Sequence, residues 1–368
     1  MSERGSIRAA VLTQTPGELR IEDVEIAAPR PDEVLVRVAA CGLCHSDVHV
    51  LDGHLPAALP AVIGHECAGI VEAVGSEVTN VGVGDHVVTC TSQFCGSCPR
   101  CRDGETWLCA RRRAIGRGAG DPPLSWSDQP LYPLGSLGGL AEQMLVHRNA
   151  VVAVPKEVPL DRAALLGCAV LTGVGSVING ARVRVGETVA VIGCGGVGLN
   201  VVQGARLAGA ERIFAVDTEP AKLELARRFG ATDVVDASAG PGAEAVLEAS
   251  GGGVDHAFEV VGLPATIAQA VDIAAPGRTA YIIGVPAADA TIEIPGGPMV
   301  FRQKAIRGLI MGSSRFTDDI PMLARLYLQG RLELDALIEE HIALDDVNAG
   351  YERLRAGTHA RSVVTFDF

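Results

Sequence analysis

The sequence predicts an α/β protein of two domains: a doubly wound parallel sheet in the middle of the chain and a β-rich domain assembled from the remainder. Three observations predict it. Between about residues 170 and 311, apolar runs of strand length alternate with helical stretches, as a parallel sheet covered on both faces requires. Ahead of that region, short alternating segments separated by glycine-rich turns read as strands. At 368 residues, 48% hydrophobic and 20% charged, the chain can fill two cores and is too apolar for disorder.

Taken in order, residues 33–38 (Glu33-Val34-Leu35-Val36-Arg37-Val38) alternate as a half-buried strand should, and 69–74 and 85–89 continue the pattern. Residues 114–139, rich in proline and glycine, are expected to form a long irregular surface loop. In the middle, strands are expected at 188–192, 212–216, 233–236 and 280–283, with helices running to Leu207, over 220–229 and over 265–274. From about Gly312 the texture is mixed again, and that part either forms its own unit or packs back on the first.

The formal charge of −13 comes without any long basic run, which argues against nucleic acid or an anionic membrane as the main partner. The apolar run at 7–12 is too short for a signal-peptide core, and no 18-residue apolar stretch free of charge is expected to follow. A cytoplasmic setting is therefore expected. Thiols stay reduced there, so the ten cysteines read first as metal ligands or reactive groups.

Gly193-Cys194-Gly195-Gly196-Val197-Gly198 gives G-x-G-x-x-G between a strand and a helix. The first glycine permits the tight turn, the second lets backbone approach a pyrophosphate, and the third allows close helix–strand packing. The positive end of the helix then faces the phosphates. Asp217 ends the next strand about twenty residues on, where a carboxylate holds ribose hydroxyls and repels a 2′-phosphate. NAD is expected in preference to NADP.

Cys95, Cys98, Cys101 and Cys109 are separated by gaps of two, two and seven residues. Four thiolates this close can enclose one ion, leaving no place for substrate, so the site reads as structural. An iron–sulfur cluster also takes four cysteines, but the spacing fits neither common ferredoxin pattern, and zinc is favoured. A second set is scattered: Cys44, His65 and Cys168 together match the Cys₂His donors of a catalytic zinc with an open position. Separately, Cys41-Gly-Leu-Cys44 also reads as a redox pair, and His65 as a core histidine. Cys41, Cys67, Cys90 and Cys194 read as small buried hydrophobes.

At this point the chain resembles the medium-chain zinc alcohol dehydrogenases. The resemblance covers essentially the whole chain and rests on Gly64-His65-Glu66, the four-cysteine lobe at about 90–112, the glycine-rich turn and Asp217, in the family's order. It implies a Rossmann coenzyme domain over 170–311 and a GroES-like catalytic domain made of 1–169 and 312–368. It implies that Cys44, His65 and Cys168 bind the catalytic zinc, with Glu66 behind it as a transient ligand. Asp47 becomes the carboxylate that orients His65. It also implies that Cys95, Cys98, Cys101 and Cys109 bind a structural zinc.

The family activity implied is reversible hydride transfer between a primary or secondary alcohol and its aldehyde or ketone. The zinc acidifies the alcohol, Ser46 takes its proton, and His49 passes it to solvent. Further cofactor contacts implied are His45 and Arg361 at the pyrophosphate, Lys222 near the adenosine ribose, and Thr172, Ile283, Gly284 and Val285 at the nicotinamide end. Thr91 stands where family members often carry an aromatic residue, which implies room for a bulkier substrate. Arg113 matches an arginine of the glutathione-dependent formaldehyde dehydrogenases, whose acidic partner is replaced here by Leu55. A thiol-adduct formaldehyde dehydrogenase is thus the alternative enzyme, and a catalytically silent binding protein the alternative outside catalysis. The family pairs coenzyme domains across sheet edges, and the retained loop between Cys109 and Glu142 resembles the dimeric members, so a homodimer is expected.

Overall fold

The computed structural model describes residues 5–118, 120–357 and 361–367. The chain divides into two compact units, one running through Cys168 and resuming at Arg315, the other spanning Ala169–Ser314. The sequence reading set these breaks after 169 and 311. The second break falls later because Ser314 is tied to the middle unit: its Oγ accepts from Asn179 Nδ2 at 3.3 Å and donates to the Leu171 carbonyl at 3.5 Å.

In the first unit, strands Gly5–Leu12 and Leu19–Ile26 pair antiparallel along their whole length and close a barrel with Ala61–Val62, Leu124–Trp126 and Gln129–Pro133. The last two strands correct the expectation of an irregular loop over 114–139. Leu124 and Leu131 point into the barrel core, at 3% and 0% exposure. Proline hid them: Pro130 and Pro133 lie on short strands, where a missing N–H costs little.

The second sheet of this unit is built around Glu33–Gly42. Glu66–Val74 lies antiparallel beside it, in a register that sets Cys41 opposite Cys67 and Gly42 opposite Glu66. Ser362–Thr365 joins its other side, with Val363 opposite Gly42. The C-terminal segment therefore packs back on the first part of the chain. Val34, Val36, Val38, Leu43, Val71, Tyr351 and Val364 form the core beneath this sheet.

The middle unit is a six-stranded parallel sheet in the order Asp233–Asp236, Arg212–Asp217, Thr188–Ile192, Val254–Glu259, Ala274–Ile282, Ala305–Gly308. Numbered along the chain this is 3-2-1-4-5-6, the doubly wound Rossmann order. Two of its strands were not read from the sequence. Val254–Glu259 carries Asp255 and His256 inside an otherwise apolar run, and Ala305–Gly308 is a short, fully exposed edge.

Leu160–Ala181 forms one continuous helical run, long and apolar enough by composition to cross a membrane. This corrects the expectation that no such stretch exists. Its apolarity serves burial, since 89% of its most apolar window lies inside the protein.

Candidate active site

The first unit brings Cys44, His65, Glu66 and Cys168 together, all buried, with their donor atoms within 4.8 Å of one another. Each comes from a different local device. Cys44 caps the short helix His45–Leu51, directly after the central strand of the sheet. His65 and Glu66 enter at the start of Glu66–Val74, whose register with Glu33–Gly42 fixes Glu66 opposite Gly42. Cys168 sits on the π-helical turn Leu166–Val170, a distortion that turns recur to at functional positions. His65 Nδ1 lies 2.9 Å from Asp47 Oδ1, and Asp47 is fully buried on the helix that Cys44 caps.

The electrostatics suit metal capture. The Cys168 S–H donates a hydrogen bond to the Cys44 sulfur and holds that thiol well below the ordinary value, with His65 and Arg361 adding; the same contact raises Cys168. Burial works against charge on His65, but Asp47 and Cys44 outweigh it and raise the imidazole. Burial pushes the Glu66 carboxyl up to about 7, against the pull of Arg361. Two thiols, an imidazole and a carboxyl are donors of the kinds that zinc prefers.

Cys95, Cys98, Cys101 and Cys109 form a second cluster in the same unit. Their sulfurs stand 3.5 Å apart for Cys98–Cys101 and 4.0 Å for Cys95–Cys101 and Cys98–Cys109. Backbone N–H groups already point at them: that of Cys95 at Cys109 Sγ and that of Cys98 at Cys95 Sγ, both at 3.3 Å. The N–H of Ser97 brings the Cys95 thiol down to about 6. Such donors favour thiolates, and four thiolates fill a tetrahedral ion.

In the middle unit the glycine-rich turn follows the strand Thr188–Ile192, at the carboxyl edge of the sheet where the strand order reverses. Gly193 has φ +96°. A Cβ on Gly198 would lie 1.8 Å from the Gly193 carbonyl, so helix and turn touch there. A Cβ on Gly195 would meet nothing within 4 Å. The middle glycine thus faces open space, as a backbone that must admit a pyrophosphate should. Asp217 closes the adjacent strand; its Oδ2 accepts the N–H of Cys194 at 2.7 Å and its Oδ1 that of Glu219 at 3.0 Å. Lys222 lies in the first turn of Pro220–Phe229. Ile283, Gly284 and Val285 leave the strand Ala274–Ile282 at the same edge, and Ile283 N donates to the Glu259 carbonyl at 2.8 Å.

Residues 30–156 match the alcohol dehydrogenase GroES-like domain and residues 196–326 the zinc-binding dehydrogenase domain. An S-(hydroxymethyl)glutathione dehydrogenase of Synechocystis is 37% identical over 98% of this chain and 99% of its own length. The class-3 alcohol dehydrogenase of Drosophila melanogaster is 35% identical, over 98% and 97%. Among solved structures, an alcohol dehydrogenase zinc-binding domain protein from Burkholderia ambifaria superposes with TM-score 0.95 at 37% identity, over the whole of both chains. Benzyl alcohol dehydrogenase from Acinetobacter calcoaceticus gives 0.93 at 33%, over 99% of this chain and 100% of its own.

The chain belongs to the zinc-dependent medium-chain alcohol dehydrogenase family. It is an oxidoreductase of the alcohol dehydrogenase type, with zinc and NAD as cofactors.

Within this dehydrogenase the other expected residues fall as follows. Ser46 and His49 are half-buried on His45–Leu51, three residues apart and so on one face, while His45 is exposed. Burial holds His49 below its ordinary value, helped by His54, whose ring lies 5.9 Å away. Thr172 is buried on Leu171–Gly175, its hydroxyl toward Met311 Sδ at 3.8 Å. Arg361, expected at the pyrophosphate, is 3% exposed, with Nη2 3.2 Å from Glu66 Oε1. Its charge serves the buried Glu66, which burial alone would neutralise. The Arg113 side chain lies outside the described residues.

Cys41 is not a partner of Cys44: its sulfur lies 3.6 Å from that of Cys67, while Cys44 accepts a hydrogen bond from Cys168. Sequence reasoning missed Tyr351, whose fully buried phenol adjoins Asp47. The only signal was a tyrosine on the apolar face of a helix, which is ordinarily packing.

Proposed function

We propose that the enzyme interconverts a primary or secondary alcohol and its aldehyde or ketone with NAD, on substrates bulkier than the shortest alcohols. The observation that carries this reading is the buried set of Cys44, His65 and Cys168 braced by Asp47: three zinc donors of the catalytic kind, which leave a fourth position open. Cys95, Cys98, Cys101 and Cys109 hold a second, closed zinc. Glu66, paired with Arg361, stands by as a transient ligand.

Bound zinc supplies a Lewis acid that makes an alcohol easier to deprotonate, and bound nicotinamide supplies the hydride acceptor. The protein does the rest. Ser46 accepts the hydroxyl proton and His49, on the same helix face, delivers it to water. The turn from Gly193 through Gly195, Gly196, Val197 and Gly198 holds the pyrophosphate, and Asp217 accepts from the ribose hydroxyls. His45, Lys222, Thr172, Ile283, Gly284 and Val285 complete the cofactor contacts. The balance is alcohol plus NAD⁺ to carbonyl compound, NADH and a proton. In this scheme the unit containing both zinc clusters is the catalytic domain and Ala169–Ser314 the coenzyme domain.

Thr91 supports the larger substrate, being a small, half-buried side chain. The exposed apolar edge of the coenzyme unit supports a homodimer. There the strand Ala305–Gly308 is unpaired on one side, and Phe301 is 89% exposed. Ten free thiols support a cytoplasmic setting.

The name S-(hydroxymethyl)glutathione dehydrogenase, carried by several relatives, favours a second reading, oxidation of a hydroxymethyl thiol adduct. NAD reduction measured across aliphatic, benzylic and terpenoid alcohols and S-(hydroxymethyl)glutathione separates the two. Turnover of a benzylic or terpenoid alcohol, with none of the adduct, is expected. The adduct alone being oxidised would overturn the first reading.

A further inference from the structure

Helix Val347–Arg355 is pressed against the segment that carries Cys44. A Cβ added at Gly350 would lie 2.6 Å from Leu43 Cδ1 and 2.7 Å from Ile342 Cδ1. One residue further along this helix, Tyr351 is 1% exposed, among the largest fully buried side chains of the protein. Its other buried helix neighbours, Val347 and Leu354, are apolar. A phenylalanine would fill the same space, and the tyrosine brings a hydroxyl into the protein interior. A buried hydroxyl of this kind requires a partner.

Two buried atoms of adjoining side chains lack such a partner. Asp47 spends Oδ1 on His65 Nδ1, at 2.9 Å, while its Oδ2 has no completed hydrogen bond. Tyr351 Oη has none either, and it adjoins Asp47. One is a donor and the other a carboxylate acceptor. The nearby Cys41 thiol is already engaged, receiving the S–H of Cys67 at 3.6 Å.

We propose that Tyr351 is a positioning residue for the catalytic metal: its hydroxyl donates to Asp47 Oδ2, fixing the carboxylate that holds His65 Nδ1 and so aiming His65 Nε2 at the zinc. This rests on the reading of Cys44, His65 and Cys168 as the metal ligands. A carboxylate held at one oxygen can still rotate about its own axis; held at both, it fixes the plane and tautomer of the imidazole.

The test measures zinc retention by chelator competition in the full-length protein, for the wild type, Tyr351→Phe, Asp47→Asn and the double variant. Tyr351→Phe keeps the ring and its packing. It is expected to weaken one zinc by about tenfold or more, the range for outer partners of metal histidines, and to leave the four-cysteine zinc unchanged. Added to Asp47→Asn, it is expected to cause no further loss, because its effect runs through that carboxylate. Cobalt substituted at the weakened site should show altered d–d absorption in Tyr351→Phe. Unchanged zinc retention in Tyr351→Phe, or a full additional loss in the double variant, would overturn the proposal while leaving the ligand assignment intact. A wild type that retains only the four-cysteine zinc would overturn both.

Discussion

Asp217 Oδ2 accepts the backbone N–H of Cys194 at 2.7 Å, so the carboxylate proposed to hold the ribose also shapes the glycine-rich turn. Its two duties separate by substitution. Asp217→Asn keeps an acceptor for the turn and removes the charge. It should retain the fold while its preference for NAD over NADP drops at least about tenfold, since like-charge repulsion of a 2′-phosphate is lost. Asp217→Ala should lose that preference and also about 1.5–3 kcal/mol of stability, the range for hydrogen bonds to a charged group. Cofactor kinetics and thermal melting check the pair.

Gly195 and Gly198 lie on one turn and should answer alanine in opposite ways. At Gly195 the new methyl meets open space within the protein, so the apo melting temperature should be unchanged. NAD affinity should fall, because the proposed approach of the pyrophosphate runs through that space. At Gly198 it would collide with the Gly193 carbonyl at 1.8 Å, and stability should fall by about 1–3 kcal/mol. Calorimetric NAD titration alongside melting curves distinguishes the two.

Ser46→Ala should keep zinc and NAD binding and lose turnover by about 10²–10⁴-fold, the usual contribution of a positioned proton acceptor. Pre-steady-state hydride transfer is the readout, and full activity would remove Ser46 from the relay.

His49 must be neutral to accept a proton, so alcohol oxidation should fall on the acid side of its pKa. Burial, and then the neighbouring His54, hold that pKa below the ordinary 6.5. His54→Gln removes a positive charge that disfavours a protonated His49. The His49 pKa should rise, and the acid limb of the rate profile should move to higher pH.

Much of this site was legible because its chemistry depends on residue types that few other demands produce. Four cysteines in one lobe, and a strand–glycine–helix passage ending at Asp217, announce themselves in one dimension. Cys44, His65 and Cys168 were harder, since only the register of Glu33–Gly42 with Glu66–Val74 and the π-helical turn at Cys168 bring them together. The pairing of Arg361 with Glu66 was not legible, because sequence carries no record of burial. Without that pairing the charge of Glu66 would be stranded. The strands at Leu124–Trp126 and Gln129–Pro133 escaped notice because prolines that usually mark loops here lie on short strands. Tyr351 gave no signal beyond a tyrosine on an apolar helix face, for its meaning depends on a helix that returns from the C-terminal segment to pack beside Asp47.

Zinc content per chain in the wild type and in Cys44→Ser tests the central claim most directly. Two zincs are expected in the wild type and one in Cys44→Ser, with the four-cysteine ion retained and alcohol oxidation lost. A single zinc in the wild type, or two in Cys44→Ser with turnover preserved, would contradict it.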